Sequence, residues 1–503
     1  MRLLKPGWVA QDDHPIFSID VHPSGTKFAT GGQGDDCGRV TVWNMAPIVQ
    51  PKLHKDASVP KMLCQMDNHL ACVNCVRWSR GGKFLASAGD DQRIILWTKS
   101  AYGGGAVFGG GGKINHESYK VAYTLRLHDG DVLDIAWSPG KIFVVFLFTQ
   151  CSLNYLGDVW LATASVDNTV VVWDVEKLPS TVAILKGHTG HVKGVTWDPV
   201  GKYLASQSAD KTLRVWRTSD WVEEASIAEP FEECGGTTHV LRLDWSPDGE
   251  GDDIVRRMLV DNLFPGSYLV SAHAMNGGGP TAQILERDGW KFEKDFVGHR
   301  KAVTCVRFND NIFEKDLDGK ERGKKAQFLC LAIGSRDRSM SVWLTSLKRP
   351  LFVIHDVFES SILDLAWSKD GLVLLACSMD GSVAAVVLDE KELGNAQHFI
   401  IDKIIPPKQV LCQMSDELCT QLIMELSLFC FNIPHPPGTP MQKDSRSSLL
   451  KKIYGQNIGM VQNSKPIMIE NPEFLKLTQN GDDSSGGAET EEIKINGSGK
   501  VRT

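Results

Sequence analysis

The stretch "GHTGHVKGVTWDPVGKYLASQSADKTLRVW" (Gly187–Trp216) decides the fold. An alternating run, "HVKGVTW", leads to a Pro/Gly turn. A second apolar run, "YLAS", leads to a turn centred on Asp210, and a third, "TLRVW", closes the unit. Period-two alternation between turn signals denotes antiparallel strands. The closing phrase recurs as "AGDDQRIILWT" (Ala88–Thr98), "SVDNTVVVWD" (Ser165–Asp174) and "SRDRSMSVWL" (Ser335–Leu344). Asp stands six residues before Trp each time, at Asp91/Trp97, Asp167/Trp173, Asp210/Trp216 and Asp337/Trp343. His69 precedes Asp91 by 22 residues, as His188 precedes Asp210.

The spacing has a chemical reason. An Asp carboxylate suits the tight turn between second and third strands, where it accepts from nearby backbone N–H groups. A His from the preceding loop donates to that Asp, and a Ser on the second strand relays the bond to the Trp indole. Each buried polar group is then satisfied. The expected clasps are His69, Ser87, Asp91 and Trp97; His128, Asp167 and Trp173; His188, Ser206, Asp210 and Trp216; and His299, Asp337 and Trp343. Three strands per unit and one in the connection give a four-stranded blade, so the fold class is all-β.

This pattern resembles the WD40 repeat. Seven units begin near Pro15, Asp67, Leu127, Gly187, Thr237, Gly298 and Ser360. Seven is the usual count for a closed WD40 propeller. The seventh unit supplies three strands, and "LLKPGWV" (Leu3–Val9) is the candidate that closes the ring and removes an open sheet edge. The first unit has Cys37 where Asp is expected, the fifth lacks both Asp and closing Trp, and the seventh keeps Asp380 but has Val386 in place of Trp.

The irregular stretches are more diagnostic than the regular ones. "PKMLCQMDNHLACVNCVRW", "FEECGGTTHVLRLDWSPDG", "SAHAMNGGGPTAQILERDGW", "DFVGHRKAVT" and "SVWLTSLKRPLFVIHDVF" together resemble the N-terminal propeller of the histone regulator A (HIRA) family, over Met1–Leu393. "KKIYGQN…IENPEFLK" (Lys451–Lys476) resembles that family's post-propeller segment. The resemblance implies a nuclear, non-enzymatic scaffold of a histone chaperone complex. Its propeller would bind a ubinuclein-like subunit, with core histones reached indirectly through the complex. The family's Arg-Arg-Ile-Thr-like motif for the anti-silencing-function chaperone and its C-terminal domain are not found, so those two functions are in doubt and the chain reads as truncated. The rival readings are the propeller subunit of the replication-coupled chromatin assembly factor and a substrate receptor of a ubiquitin ligase.

Two segments interrupt the repeat. Trp137 to Asp167 is 30 residues where Trp197 to Asp210 is 13, and Trp245 to Ser271 is 26 where Trp197 to Ser206 is nine. The excess is 17 in both, between first and second strands, at 141–157 and 250–266. Equal lengths between paired glycines read as two retained 51-nucleotide introns, with genuine surface loops as the alternative. Residues 394–450 read as an irregular insert, within which Gln397–Ser447 reads as of similar origin to the two inserts. Residues 451–503 read as the post-propeller segment and a disordered tail.

The totals set limits. The net charge of −7 is no nucleic-acid footprint, which would be basic. The most apolar run, "FVVFLF" (Phe143–Phe148), is too short to span a bilayer. The twelve scattered Cys fit a reducing compartment, and Cys72 and Cys75 read as strand thiols. No membrane, sequence-specific nucleic acid, metal or cofactor is expected. "GGGAVFGGGGKI" (Gly103–Ile114) fails the phosphate-loop test at Val107 and Ile114. "HTGH" (His188–His191) is no metal pair because His188 is committed to the clasp. The repeated Ser-His-Asp sets end on Trp, which marks structure rather than catalysis. "KDLDGKERGKK" (Lys315–Lys325) reads as a solvated loop. Partner contacts are expected on loops just after the Gly-His positions, at His191, Lys193, Arg300 and Lys301.

Overall fold

The computed structural model describes residues 1–9, 14–105, 114–139, 141–147, 150–156, 160–235, 238–247, 268–316 and 325–397. Seven antiparallel sheets follow one another as seven blades. Blade one is Ile16–Val21, Lys27–Gln33, Gly38–Asn44 and Met62–His69. Blade two is Val73–Trp78, Phe84–Gly89, Ile94–Lys99 and Tyr119–Leu125. Blade three is Val132–Trp137, Trp160–Ser165, Thr169–Asp174 and Thr181–Lys186; blade four is Val192–Trp197, Tyr203–Ser208, Leu213–Arg217 and Glu223–Ile227. In blade five, Asp244–Trp245, Tyr268–Val270 and Gly279–Glu286 carry two further strands, Ala274–Asn276 and Lys294–Val297. Blade six is Val303–Phe308, Cys330–Ser335, Met340–Leu344 and Phe352–Ile354.

Blade seven closes the ring. Ile362–Trp367, Val373–Ser378 and Val383–Val387 take their fourth strand from Arg2–Leu4, with Arg2 opposite Val387 and Leu4 opposite Ala385. The closing strand is therefore shorter than the expected Leu3–Val9. Pro6 has no N–H to give a ladder, and the chain turns there, Val9 N–H donating to the Pro6 carbonyl at 3.0 Å.

The core is divided rather than central. Seven clusters of buried apolar residues each draw on two adjacent blades, one cluster per seam around the ring. The alternation in the sequence provides this, because each blade must offer an apolar face to both neighbours. The first strands of six blades also carry a bulge at the same place, between Ile16 and Ser18, Val73 and Cys75, Val132 and Asp134, Val192 and Gly194, Val303 and Cys305, and Ile362 and Asp364. A bulge re-aims a side chain. Here the third-position residue bonds to the next blade: Ser18 accepts from Val76 N–H at 3.1 Å, Asp134 from Val195 N–H at 3.0 Å, and Asp364 from Ile19 N–H at 3.1 Å.

The first insert forms a hairpin, Lys141–Leu147 with Gln150–Leu156, which pairs with no other strand among the described residues. The second, 250–266, lies outside the described residues. Both are bypassed by the same closing bonds. Ser138 N–H donates to the Trp160 carbonyl at 2.9 Å and Trp160 N–H to Ser138 Oγ at 2.9 Å. Ser246 and Tyr268 do likewise at 2.8 and 2.9 Å. In blade two, without an insert, Ser79 and Phe84 make the same pair of bonds at 2.9 and 3.1 Å.

Past blade seven regular structure continues to Gln397, the last described residue. A helical turn, Glu390–Leu393, is fixed by a capping box of Asp389 and Glu392, and Leu393 is buried in the seam of blades six and seven. Asn395–Gln397, expected to begin an irregular segment, forms a strand against Ile312–Asp316, whose other neighbour is Lys325–Phe328. Most of the charged Lys315–Lys325 loop and all of 398–503 lie outside the described residues, and with them most of the expected irregular insert to 450 and the whole expected disordered tail.

Candidate interaction face

One face of the ring carries the loops that enter each blade and the turns between second and third strands. The clasps tie these together. In blade two, His69 Nδ1 lies 3.0 Å from both Asp91 oxygens, His69 Nε2 lies 2.7 Å from Ser87 Oγ, and Trp97 Nε1–H donates to Ser87 Oγ at 2.8 Å. One tautomer satisfies the whole chain: indole N–H to serine oxygen, serine O–H to Nε2, and Nδ1–H to carboxylate. Blade four repeats it, with His188 Nδ1 2.9 Å from Asp210, Nε2 2.8 Å from Ser206 Oγ, and Trp216 donating to Ser206 at 2.9 Å. Burial alone would raise the carboxyls of Asp91, Asp167, Asp210 and Asp337. The histidine hydrogen bonds, with hydroxyl and backbone donors, outweigh it and hold all four below the usual range.

Two clasps contain a residue that the sequence reading missed. In blade three Thr163 takes the serine role, 2.8 Å from His128 Nε2 and accepting from Trp173 at 3.1 Å, while His128 Nδ1 meets Asp167 at 2.8 Å. The signal was available, since Ser87, Thr163 and Ser206 all stand four residues before the Asp. In blade six that position is Ile333, and the hydroxyl comes from the third strand instead. Ser341 Oγ lies 2.9 Å from His299 Nε2 and accepts from Trp343 at 2.9 Å. Blade two pairs Ser87 with Ile95 across the strands, and blade six pairs Ile333 with Ser341. The two residue types have changed places within one cross-strand pair, and the hydroxyl still reaches the same spot. His299 Nδ1 meets Ser339 Oγ at 2.9 Å and stands 3.4 Å from Asp337, whose carboxylate takes the Arg300 N–H at 2.7 Å.

The remaining blades depart from the pattern. Trp43 of blade one donates to Thr30 at 2.8 Å without a histidine, and His14 pairs with Asp35 at 3.0 Å. Asp380 of blade seven accepts from Glu359 N–H at 2.7 Å. Each clasp hydroxyl is buried and already holds an indole donor and an imidazole, so none of these Ser-His-Asp sets presents a nucleophile to a substrate.

The four loop residues expected to meet a partner divide. His191, Arg300 and Lys301 are exposed on the clasp face. Lys193 is not a loop residue. It lies in the first strand of blade four, is 8% exposed, and its ammonium donates to the Thr238 carbonyl of blade five. It falls at the second position of the bulged strand, which turns it toward the neighbouring blade rather than toward solvent. Burial lowers its pKa.

The axis of the ring is sealed by charge. Arg242, 3% exposed, extends from blade five across the axis. Its guanidinium donates to the carbonyls of Phe17 at 2.9 Å, Leu363 at 2.7 Å and Asn74 at 2.7 Å, and to Asp134 Oδ1 at 3.2 Å. It thus holds blades one, seven, two and three at once. Arg77 of blade two donates to both oxygens of Asp364, at 2.7 and 3.2 Å. Asp364 also accepts from Ser18 Oγ at 2.7 Å and lies 3.4 Å from Arg242. Burial alone would raise the Asp364 carboxyl, but Arg242, Arg77 and Arg307 hold it well below its usual range. Arg77 and Arg242, with Arg307 further off, therefore balance Asp134 and Asp364 in a buried centre, where unpaired charge would be costly.

Comparison with known proteins agrees with this architecture. Residues 1–229 match the CAF1B/HIR1 beta-propeller domain, and residues 349–384 match the WD domain, G-beta repeat. The chain is 57% identical to the HIRA homolog of Drosophila melanogaster over 397 residues, which are 79% of this chain and 35% of that protein. It is 48% identical to HIRA of Homo sapiens over 481 residues, 95% of this chain and 40% of that protein. It is 36% identical to HIR1 of Cryptococcus neoformans over 414 residues, 80% of this chain and 42% of that protein. The chain thus spans about two fifths of the length of these relatives. The match to the human protein covers so much of this chain that it runs past the last propeller strand.

Proposed function

We propose that this chain, which is homologous to the HIRA and HIR1 proteins over most of its length, is a non-enzymatic scaffold subunit of a histone chaperone complex acting in the nucleus. The observation that carries this reading is the 57% identity with the Drosophila protein over 397 residues, 79% of this chain. The geometry supports it. The clasps consume the chemistry-bearing side chains, Arg242 seals the axis, and the ring offers a rigid frame with exposed loops. Such a frame acts by holding other polypeptides. On this reading the propeller docks a ubinuclein-like subunit through the clasp face, with His191, Arg300 and Lys301 among the contacts. Core histones then join through the assembly, in replication-independent nucleosome assembly and transcriptional regulation.

The test is affinity purification of the full chain from nuclear extract with partners identified by mass spectrometry. Recovery of a ubinuclein-type subunit with histones supports the proposal. Recovery of cullin components would favour a ubiquitin-ligase receptor, and recovery of the replication-coupled assembly factor's other subunits would favour that complex. A folded chain that brings down no chromatin protein overturns the assignment.

A further inference from the structure

Blade five has no clasp, and on the clasp face a recess of about 20 Å³ lies between blades four and five. Lys193, Gln207, Lys211, Cys234, Thr238 and His273 are among its lining residues. Two of them are buried with a polar atom left over. Gln207 is 2% exposed, and its amide N–H2 donates to the Ala272 carbonyl at 2.6 Å, which leaves Oε1 as an acceptor. His273 is 8% exposed, and its Nε2 faces the Gly235 carbonyl at 3.3 Å, so Nε2 carries the proton and Nδ1 is an acceptor. Burial lowers the His273 pKa, in keeping with the neutral ring. Among the described residues neither Gln207 Oε1 nor His273 Nδ1 has a hydrogen-bond partner. Buried acceptors without donors cost roughly 1–3 kcal/mol each. The backbone is held at cost too, since His273 has φ +45°, a conformation few side-chain-bearing residues adopt.

The chemistry of the missing occupant follows. It must bring two hydrogens, one for each acceptor. A carboxylate brings none. A guanidinium or ammonium brings enough but is opposed by the positive charges of Lys193 and Lys211, whose side chains are among the lining. A hydroxyl brings one, and water, which brings two, is the occupant that an arriving side chain must displace. A primary carboxamide brings two on its nitrogen and presents a carbonyl oxygen to the lysines. The recess opens to solvent beside the exposed Lys211 and Gly235, so an arriving side chain can enter it.

We propose that this recess is a carboxamide-binding subsite that takes the end of an Asn or Gln side chain from a docked polypeptide. The inference rests on the recess alone and does not depend on which complex the chain joins. Acetamide is the probe. In the full chain labelled at histidine Cε1, titration with acetamide is expected to shift the His273 resonance saturably, the signal being assigned by its loss in His273→Asn. Gln207→Leu should weaken that response at least tenfold while thermal unfolding stays within a few degrees of the parent. Gln207→Met, of matching length, serves if the leucine variant does not fold. Sodium acetate and guanidinium chloride at equal concentration should give no saturable shift. The proposal is overturned if acetamide does not saturate, which means that the recess holds water only. It is equally overturned if the glutamine variants respond like the parent, or if acetate or guanidinium binds as well.

Discussion

Replacing Arg242 with leucine is expected to unfold the ring at markedly lower temperature, although Arg242 belongs to no clasp and touches no outer surface. The guanidinium serves three carbonyls and one carboxylate of four other blades, at 2.7 to 3.2 Å. Leucine leaves Asp134 in a buried centre with one cation fewer, and leaves the Phe17, Asn74 and Leu363 carbonyls without that donor. Removing one partner of a buried ion pair costs about 3–5 kcal/mol. Each orphaned buried carbonyl adds up to about 1–3 kcal/mol, less whatever water recovers. A total of about 4 kcal/mol is a conservative expectation against the roughly 5–15 kcal/mol that typically holds a protein folded. With an unfolding entropy of roughly 2.1 cal/mol/K per residue over about 390 residues, this lowers Tm by about 5 °C. Arg242→Lys keeps the charge but offers no planar fork, so it should recover only part of the loss. The assay is thermal and urea unfolding of the parent, Arg242→Leu, Asp134→Asn and the double variant. The double variant should be more stable than the sum of the two losses predicts, by about 1 kcal/mol or more. An Arg242→Leu protein melting within about 1 °C of the parent, or strict additivity with Asp134→Asn, would refute the view that the axis is a shared lock.

Deleting 141–157, 250–266 or both should leave Tm within about 2 °C of the parent, because Ser138–Trp160 and Ser246–Tyr268 already close their turns as Ser79–Phe84 does. Loss of folding on deletion would show that the inserts are built into the blades, and sequencing of the transcript should find a form lacking both 51-nucleotide segments. Ser341→Ala should cost about 1–3 kcal/mol by stranding the Trp343 indole and His299 Nε2. The exchange Ile333→Ser with Ser341→Ile should regain most of that, and a double variant no better than the single one counts against an equivalent hydroxyl position. Stability should also fall as pH rises from about 4 to about 7 through Asp20 and Asp244, whose carboxyls burial pushes up to about 6. Their folded pKa lies above the unfolded value, so their contribution is full below the unfolded pKa and is lost as pH passes the folded one. The clasp aspartates, held low, act oppositely and lose their contribution under more acid conditions. Asp20→Asn and Asp244→Asn should flatten the decline in urea midpoint between pH 4 and 7, and an unchanged slope would rule these groups out.

The four clasp histidines, the Asp turns and the Trp ends were legible because each clasp is a local object. It lies within one repeat, and fixed spacing delivers its groups to one another whatever the rest of the chain does. The missing fourth strand of blade seven was legible for a related reason, since a three-strand remainder at one end requires a strand from the other. Thr163 was within reach by the same spacing. Ser341 was not, because its role depends on which residue faces Ile333 across the sheet. Lys193 was misplaced because a bulge of one residue turns a strand position away from where alternation would point it.

By itself the sequence determined the repeat, the number of blades and the chemistry of the clasps, since these follow from spacings shorter than one blade. Only the tertiary structure decided what stands at the axis. Phe17, Asn74, Asp134, Arg242 and Leu363 lie in five different blades, and no periodicity marks one of them as the partner of another. They meet because ring closure brings every first strand to a common centre, where buried charges must balance across the whole circle rather than within any repeat. The recess of blade five belongs to the same level. Its two unpaired acceptors, Gln207 of blade four and His273 of blade five, come from different blades, and only the packed seam brings them to one recess.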